Sequence, residues 1–141
     1  VSAYIPESLR NQIADSDRGR CCYCLTSEAN SGIPMTHDHI QPVSKGGETS
    51  FENICLACRS CNEFKGDSTE AIDPLTGETV TLFNPRTQIW SDHFAWSPDS
   101  TRVEGLTVIG RATIVRLRMN NPVIIAARRR WAVSGWHPPT D

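Results

Sequence analysis

The chain has 141 residues, of which 38% are hydrophobic and 21% charged, the proportions of an ordinary globular domain with room for a small appendage. Its longest apolar run, residues 122–127, falls far short of the ~20 residues a membrane-spanning helix needs. No charged n-region followed by an apolar h-region opens the chain, so the expectation is a cytoplasmic protein, and six cysteines in that setting argue against a disulfide framework and for metal.

The net charge of −2 does not advertise nucleic-acid binding, but its distribution is uneven. Residues 1–72 hold 6 Lys+Arg against 10 Asp+Glu, whereas residues 73–141 hold 8 against 6. From Arg102 onward there are seven arginines, no lysine, and only Glu104 and Asp141 against them. Arginine's planar fork suits phosphate, although an arginine-rich helix face is equally a solvated surface. An opening Val in place of Met suggests a processed protein or a piece of a longer one, with a parent protein or complex supplying targeting.

In chain order, residues 5–13 read as a helix, with Pro6 in the first turn, Glu7 at its positive end, and Leu9 and Ile13 on one face. Gly19 ends it. Residues 25–36 are rich in Ser, Asn, Gly and Pro and read as a loop. A short strand over 35–42, a flexible turn over 44–47, a second strand over 53–57 and a short helix over 59–65 follow. Residues 73–78 form a turn, and strands are expected over 79–83, 93–96 and 102–106. Residues 108–119 show helical spacing. Asn121-Pro122 is a suitable N-cap and first-turn pair for a second helix over 123–133, which Gly135 ends and Pro138-Pro139 cannot extend. The two helices are expected to pair as a hairpin covering the rest of the chain.

Cys21-x-x-Cys24 and Cys58-x-x-Cys61 are two knuckles 34 residues apart. Such turns let paired thiolates face one ion, and two of them complete a closed tetrahedral zinc site that braces the fold and does no chemistry. Cys55-x-x-Cys58 has the same spacing, so the register of the second knuckle is a choice. Cys61 is preferred, because Cys55 then takes an apolar strand position between Ile54 and Leu56. Cys22 and Cys55 are read as small buried hydrophobes.

Between the knuckles lies Thr36-His37-Asp38-His39-Ile40-Gln41-Pro42-Val43-Ser44-Lys45-Gly46-Gly47. With Asn53-Ile54 and Cys61-Asn62-Glu63-Phe64-Lys65-Gly66, this pattern resembles the HNH, or ββα-metal, endonuclease family over about residues 18–67. The resemblance implies an α+β fold: a ββα-metal motif braced by the Cys₄ zinc site, an N-terminal helix, and a C-terminal extension of strands and a helical hairpin. It divides the chain into a nuclease core over 1–72 and an extension over 73–141 packed on it.

Hydrolysis of a phosphodiester needs a base for water and positive charge near the developing anion. Imidazole titrates near neutrality, and a hard divalent cation supplies the charge. The resemblance accordingly implies His39 as general base, Asn53 as the amide that holds the His39 segment, and Asp38 with Asn62 as ligands of a catalytic Mg²⁺ or Mn²⁺. Asn62 stands where many members carry His, an HNN variant that favours hard, oxygen-liking ions. The lesser alternative for Asn62 is a simple helix cap. His37, two residues before His39, is assigned to structure or a secondary substrate contact. Adjacent strand residues point to opposite faces, so β structure must end or twist at Asp38-His39 for both to serve one phosphate.

The implied activity is nicking of one DNA strand per site, on duplex or a displaced single strand, in bacterial defence or DNA processing. The alternative is a non-catalytic zinc-stabilised module that binds nucleic acid or protein. Lys45, Lys65, Arg128, Arg129 and Arg130 are candidate DNA contacts. The second half loosely resembles the C-terminal extension of small bacterial stand-alone HNH proteins, which implies no chemistry. Trp90, Phe94 and Trp96 are read as core, and His93 as a packed, hydrogen-bonded histidine.

Overall fold

The computed structural model describes residues 4–140, so the outermost residues of the two expected segments lie outside it. Short helices alternate with three two-stranded antiparallel sheets, an α+β architecture. The chain divides into two compact units: residues up to Thr69 with Asn84–Thr87, and Glu70–Phe83 with Gln88 onward.

In the first unit, helix α1 (Glu7–Ser16) starts directly after Pro6, with Glu7 in its first turn and Ile13 fully buried. Arg18 and Gly19 both take positive φ, which turns the chain into the first cysteine knuckle. The stretch expected as a loop contains one helical turn, α2 (Glu28–Ser31): Ser27 accepts a bond from Asn30 N and Gly32 closes the turn in the left-handed region. Both caps stand in the sequence, but a four-residue helix leaves no periodicity to detect.

Strand β1 (Thr36–His39) pairs antiparallel with β2 (Ile54–Ala57), in a register running from Thr36 opposite Ala57 to His39 opposite Ile54. β1 stops well before Pro42, which has no N–H for a ladder. Helix α3 (Arg59–Lys65) follows β2 at once, and the Cys58 side chain accepts from Cys61 N at its cap. Ile5, Ile13, Tyr23, Met35, Ile54 and Leu56 are buried here.

A buried polar strut ties this unit together. Asp17 accepts from Leu56 N at 2.9 Å and receives both terminal nitrogens of Arg86 at 2.6 and 3.1 Å. Arg86 also donates to Phe51 O and Ile54 O and lies 4.1 Å from the centre of the Phe51 ring. The unit thus borrows a side chain from beyond residue 72.

The second unit opens with the hairpin β3 (Glu70–Ile72) and β4 (Thr79–Thr81). Glu70-Ala71-Ile72 carries no strand signal, and pairing across the expected 73–78 turn makes it one. Asp73 organises that turn: it accepts from Leu75 N, Thr76 N and Thr76 Oγ1, and holds Arg111 through two bonds of 2.9 Å. Helix α4 (Trp90–His93) leads into β5 (Phe94–Trp96), which pairs with β6 (Val103–Gly105).

Helix α5 (Val108–Arg116) is capped by Thr107, and α6 (Pro122–Val133) by Asn121, whose side chain accepts from Ile124 N. α5 is shorter than its periodicity suggests, because the chain reverses through a positive φ at Arg118 while Leu117 and Met119 stay buried. Phe83 and Phe94 meet edge-on at 5.1 Å, and Trp90 lies against Phe94 and Trp96. His93 bonds Thr107 Oγ1 at 2.7 Å. A side chain at Gly110 would collide with the His93 carbonyl oxygen, so only glycine permits this approach.

Candidate active site and metal centre

The ligand atoms of Cys21, Cys24, Cys58 and Cys61 all lie within 4.8 Å of one another. Two ligands 2.3 Å from a tetrahedral zinc stand about 3.8 Å apart, and Cys24 Sγ and Cys58 Sγ are 3.7 Å apart. Each knuckle also points a backbone N–H at its first sulfur: Cys24 N to Cys21 Sγ and Cys61 N to Cys58 Sγ. Burial pushes the Cys21 thiol well above its usual range, whereas bonds from neighbouring thiols hold Cys24 well below it. This closed, all-sulfur set fits a structural zinc ion. Cys55 points elsewhere, its sulfur 3.8 Å from Tyr23 Oη.

From the end of β1 the chain enters a loop that closes on itself. Gly46 takes φ +84°, and a side chain at Gly47 would run into the Gln41 carbonyl oxygen. Asn53 ties the loop across its base: it accepts from Gln41 N at 2.9 Å and donates to Gln41 O and Glu48 O at 3.0 and 2.8 Å. Ile40 N also donates to Asn53 O. His39, immediately before this clamp, is half-buried and pairs its Nε2 with Thr49 Oγ1 at 3.1 Å. Nδ1 is left as the other nitrogen of that ring, whichever tautomer is present.

Asp38 leaves the opposite side of the strand from His39, since β1 stays paired through His39 and ends there. Its carboxylate is 3% exposed and accepts from Tyr23 Oη at 2.7 Å and Lys65 Nζ at 3.1 Å. Burial pushes this carboxyl up, against the downward pull of the Lys65 ammonium and the Tyr23 hydroxyl. Asn62, half-buried on α3, donates through its amide nitrogen to Thr36 Oγ1 at 2.8 Å, so its carbonyl oxygen is the other polar atom of that side chain. Thr36 and Asp38 alternate onto the same strand face, so Asp38, Asn62 and Lys65 belong to the α3 side of the hairpin. His37 lies on the His39 side, half-buried, its imidazole pushed down by burial and by Arg10.

Two of the five side chains expected to meet DNA are inside the protein. Lys65 is 1% exposed and bonds Asp38, His39 O and Ile40 O. Arg128 is fully buried in the second unit, where it donates to Thr101 O and Asn120 Oδ1 and lies 5.3 Å from the Trp96 ring. Neither can reach a phosphate in this arrangement. Successive residues of a helix point about 100° apart, so a triple-arginine run cannot all face solvent when its helix is packed. Lys45, Arg129 and Arg130 are exposed.

Thr49, Tyr23, Asp17 and Arg86 are the site and bracing residues that sequence reasoning passed over. Tyr23 lies inside a knuckle and Thr49 in the Gly-rich loop, so position within a motif was their only signal. Asp17 and Arg86 carried none.

A family model described as HNH endonuclease matches residues 21–68, which are 48 of the 141. No curated protein matches the chain. That segment begins at the first zinc-knuckle cysteine, contains the β1–β2 hairpin, and closes just after α3. Residues 21–68 are therefore similar to an HNH endonuclease domain.

Proposed function

We propose that this chain is a metal-dependent endonuclease that hydrolyses DNA phosphodiester bonds, nicking one strand per site. The observation that carries the reading is the clamp around His39, in which Asn53 fastens the loop and Thr49 fastens the ring within the matched segment. With Nε2 engaged by Thr49, His39 takes the proton of an attacking water at Nδ1. The loop bonds made by Asn53 hold that imidazole in place without reorganisation during the reaction.

On this reading Asp38 and the Asn62 carbonyl are the metal's protein donors, and hard oxygen donors suit Mg²⁺ or Mn²⁺ better than a softer ion. Bound there, such an ion would supply charge stabilisation to the phosphoryl and leaving oxygens. Lys45, Arg129 and Arg130 are the exposed cations available for phosphate. The working partner on this reading is DNA in the cytoplasm; no helix of the described residues is long and apolar enough to cross a membrane.

One observation favours a second reading, a non-catalytic zinc-stabilised binding module: both Asp38 oxygens already have protein partners. A plasmid assay separates the two. Mg²⁺- or Mn²⁺-dependent nicking, lost in His39→Ala while zinc content and circular dichroism persist, is the expected result. Cleavage that survives His39→Ala removes His39 as base, and no cleavage with any divalent ion decides for the binding module.

A further inference from the structure

Lys65 is the last residue of α3, and its ammonium is buried at 1% exposure. An ammonium has three N–H donors, and this one has three oxygen acceptors: Asp38 Oδ1 at 3.1 Å, Ile40 O at 3.2 Å and His39 O at 3.3 Å. One carboxylate and two carbonyl oxygens are the kind of ligand a hard cation collects. The remaining Asp38 oxygen takes the Tyr23 hydroxyl. The place beside the carboxylate is thus filled by a cation that the protein itself supplies. A divalent ion and an ammonium on the same carboxylate oxygen repel strongly in so dry a setting. The flexible lysine stem gives the ammonium a way out that a rigid guanidinium lacks.

We propose that Lys65 is a built-in competitor for the divalent ion at Asp38: the ion engages Asp38 only as the ammonium gives up its bond to Oδ1. This inference rests on Asp38 being a metal ligand, as read above. Lys65 on this view sets the affinity for the ion and touches no phosphate.

The test measures Mn²⁺ binding to the zinc-loaded full chain without DNA, by titration calorimetry and by loss of the free-ion paramagnetic resonance signal. Lys65→Met is expected to tighten Mn²⁺ binding about tenfold or more, and Asp38→Asn to abolish it. On the unaltered chain, the ¹⁵Nζ resonance of Lys65 should lose its slow-exchange protection as Mg²⁺ is added, a measurement that decides the matter even where Lys65→Met fails to fold. Unchanged or weaker binding in Lys65→Met, or a Lys65 resonance indifferent to saturating Mg²⁺, overturns the competition while Asp38→Asn still reports on the ligand. Absence of binding in both the wild-type chain and Lys65→Met overturns the competition and the metal reading together.

Discussion

In the first unit, apolar side chains such as Ile13, Tyr23 and Ile54 share the interior with the thiol cluster, the Lys65–Asp38 ion pair and the Asp17 carboxylate. In the C-terminal unit it is assembled from Leu82, Phe83, Phe94, Val103, Leu117 and Met119, with Arg128 and Asp73 as buried charges. A unit of about seventy residues buries too small a fraction of its surface to depend on apolar packing alone. The first unit adds to its apolar core a four-thiol cluster that fits zinc and polar struts, the second adds aromatic contacts. In the first unit the Lys65–Asp38 pair stands at the proposed chemistry and the Asp17 carboxylate braces the chain, whereas in the second buried charge holds turns and helices in place.

Removal of the metal should separate the units most sharply. All four tryptophans, at 90, 96, 131 and 136, belong to the second unit. A strong chelator, or Cys61→Ser, is expected to melt the first unit, since structural zinc contributes on the order of 10 kcal/mol or more. Loss of far-ultraviolet ellipticity should then leave tryptophan fluorescence near its native maximum. A shift of both signals together would show that the second unit does not stand alone.

The buried and exposed members of the arginine run should behave differently. Arg128→Ala removes a guanidinium from its hydrogen bonds and should destabilise the second unit by about 2–3 kcal/mol, read as a lower midpoint in urea by tryptophan fluorescence. Its effect on the salt dependence of DNA binding should be negligible. Arg129→Glu with Arg130→Glu should leave that midpoint nearly unchanged and reduce the salt slope instead. A flat response to the double reversal removes this face from the DNA contacts.

The smallest effect is a pH dependence confined to the second unit. The Arg111 guanidinium and the Thr76 bonds hold the Asp73 carboxyl well below the usual carboxylate range. A depressed carboxyl contributes stability that is fully present above its unfolded value of about 4 and is lost as pH falls through its folded value. Urea midpoints of the second unit should therefore decline below about pH 4, and Asp73→Asn should flatten that decline.

The zinc knuckles and the β1–β2–α3 order are local: ligand spacing, caps and turn residues lie within a few positions of one another, so Cys21, Cys24, Cys58, Cys61 and the extent of α3 were legible in the sequence. The choice of Cys61 over Cys55 was legible too, because alternation along β2 buries Cys55 away from the knuckles. Helices α5 and α6 were legible from spacing and from the Asn121-Pro122 start, but the expected hairpin was not: α5 packs against β3, β4 and β6.

Burial of charge was not legible in the same way. Lys65 and Arg128 look like surface cations in a linear reading, since lysine and arginine are seldom inside. Their burial depends on acceptors 25–27 residues distant, in Asp38, Ile40 and Thr101. Asp17 and Arg86, 69 positions apart, met only when the chain returned to the first unit after residue 83. Residue type and short spacing determined which chemistry this protein can carry. Which of its charges face DNA, and which hold the site together, was decided by contacts that close over long loops, where no local pattern records the partner.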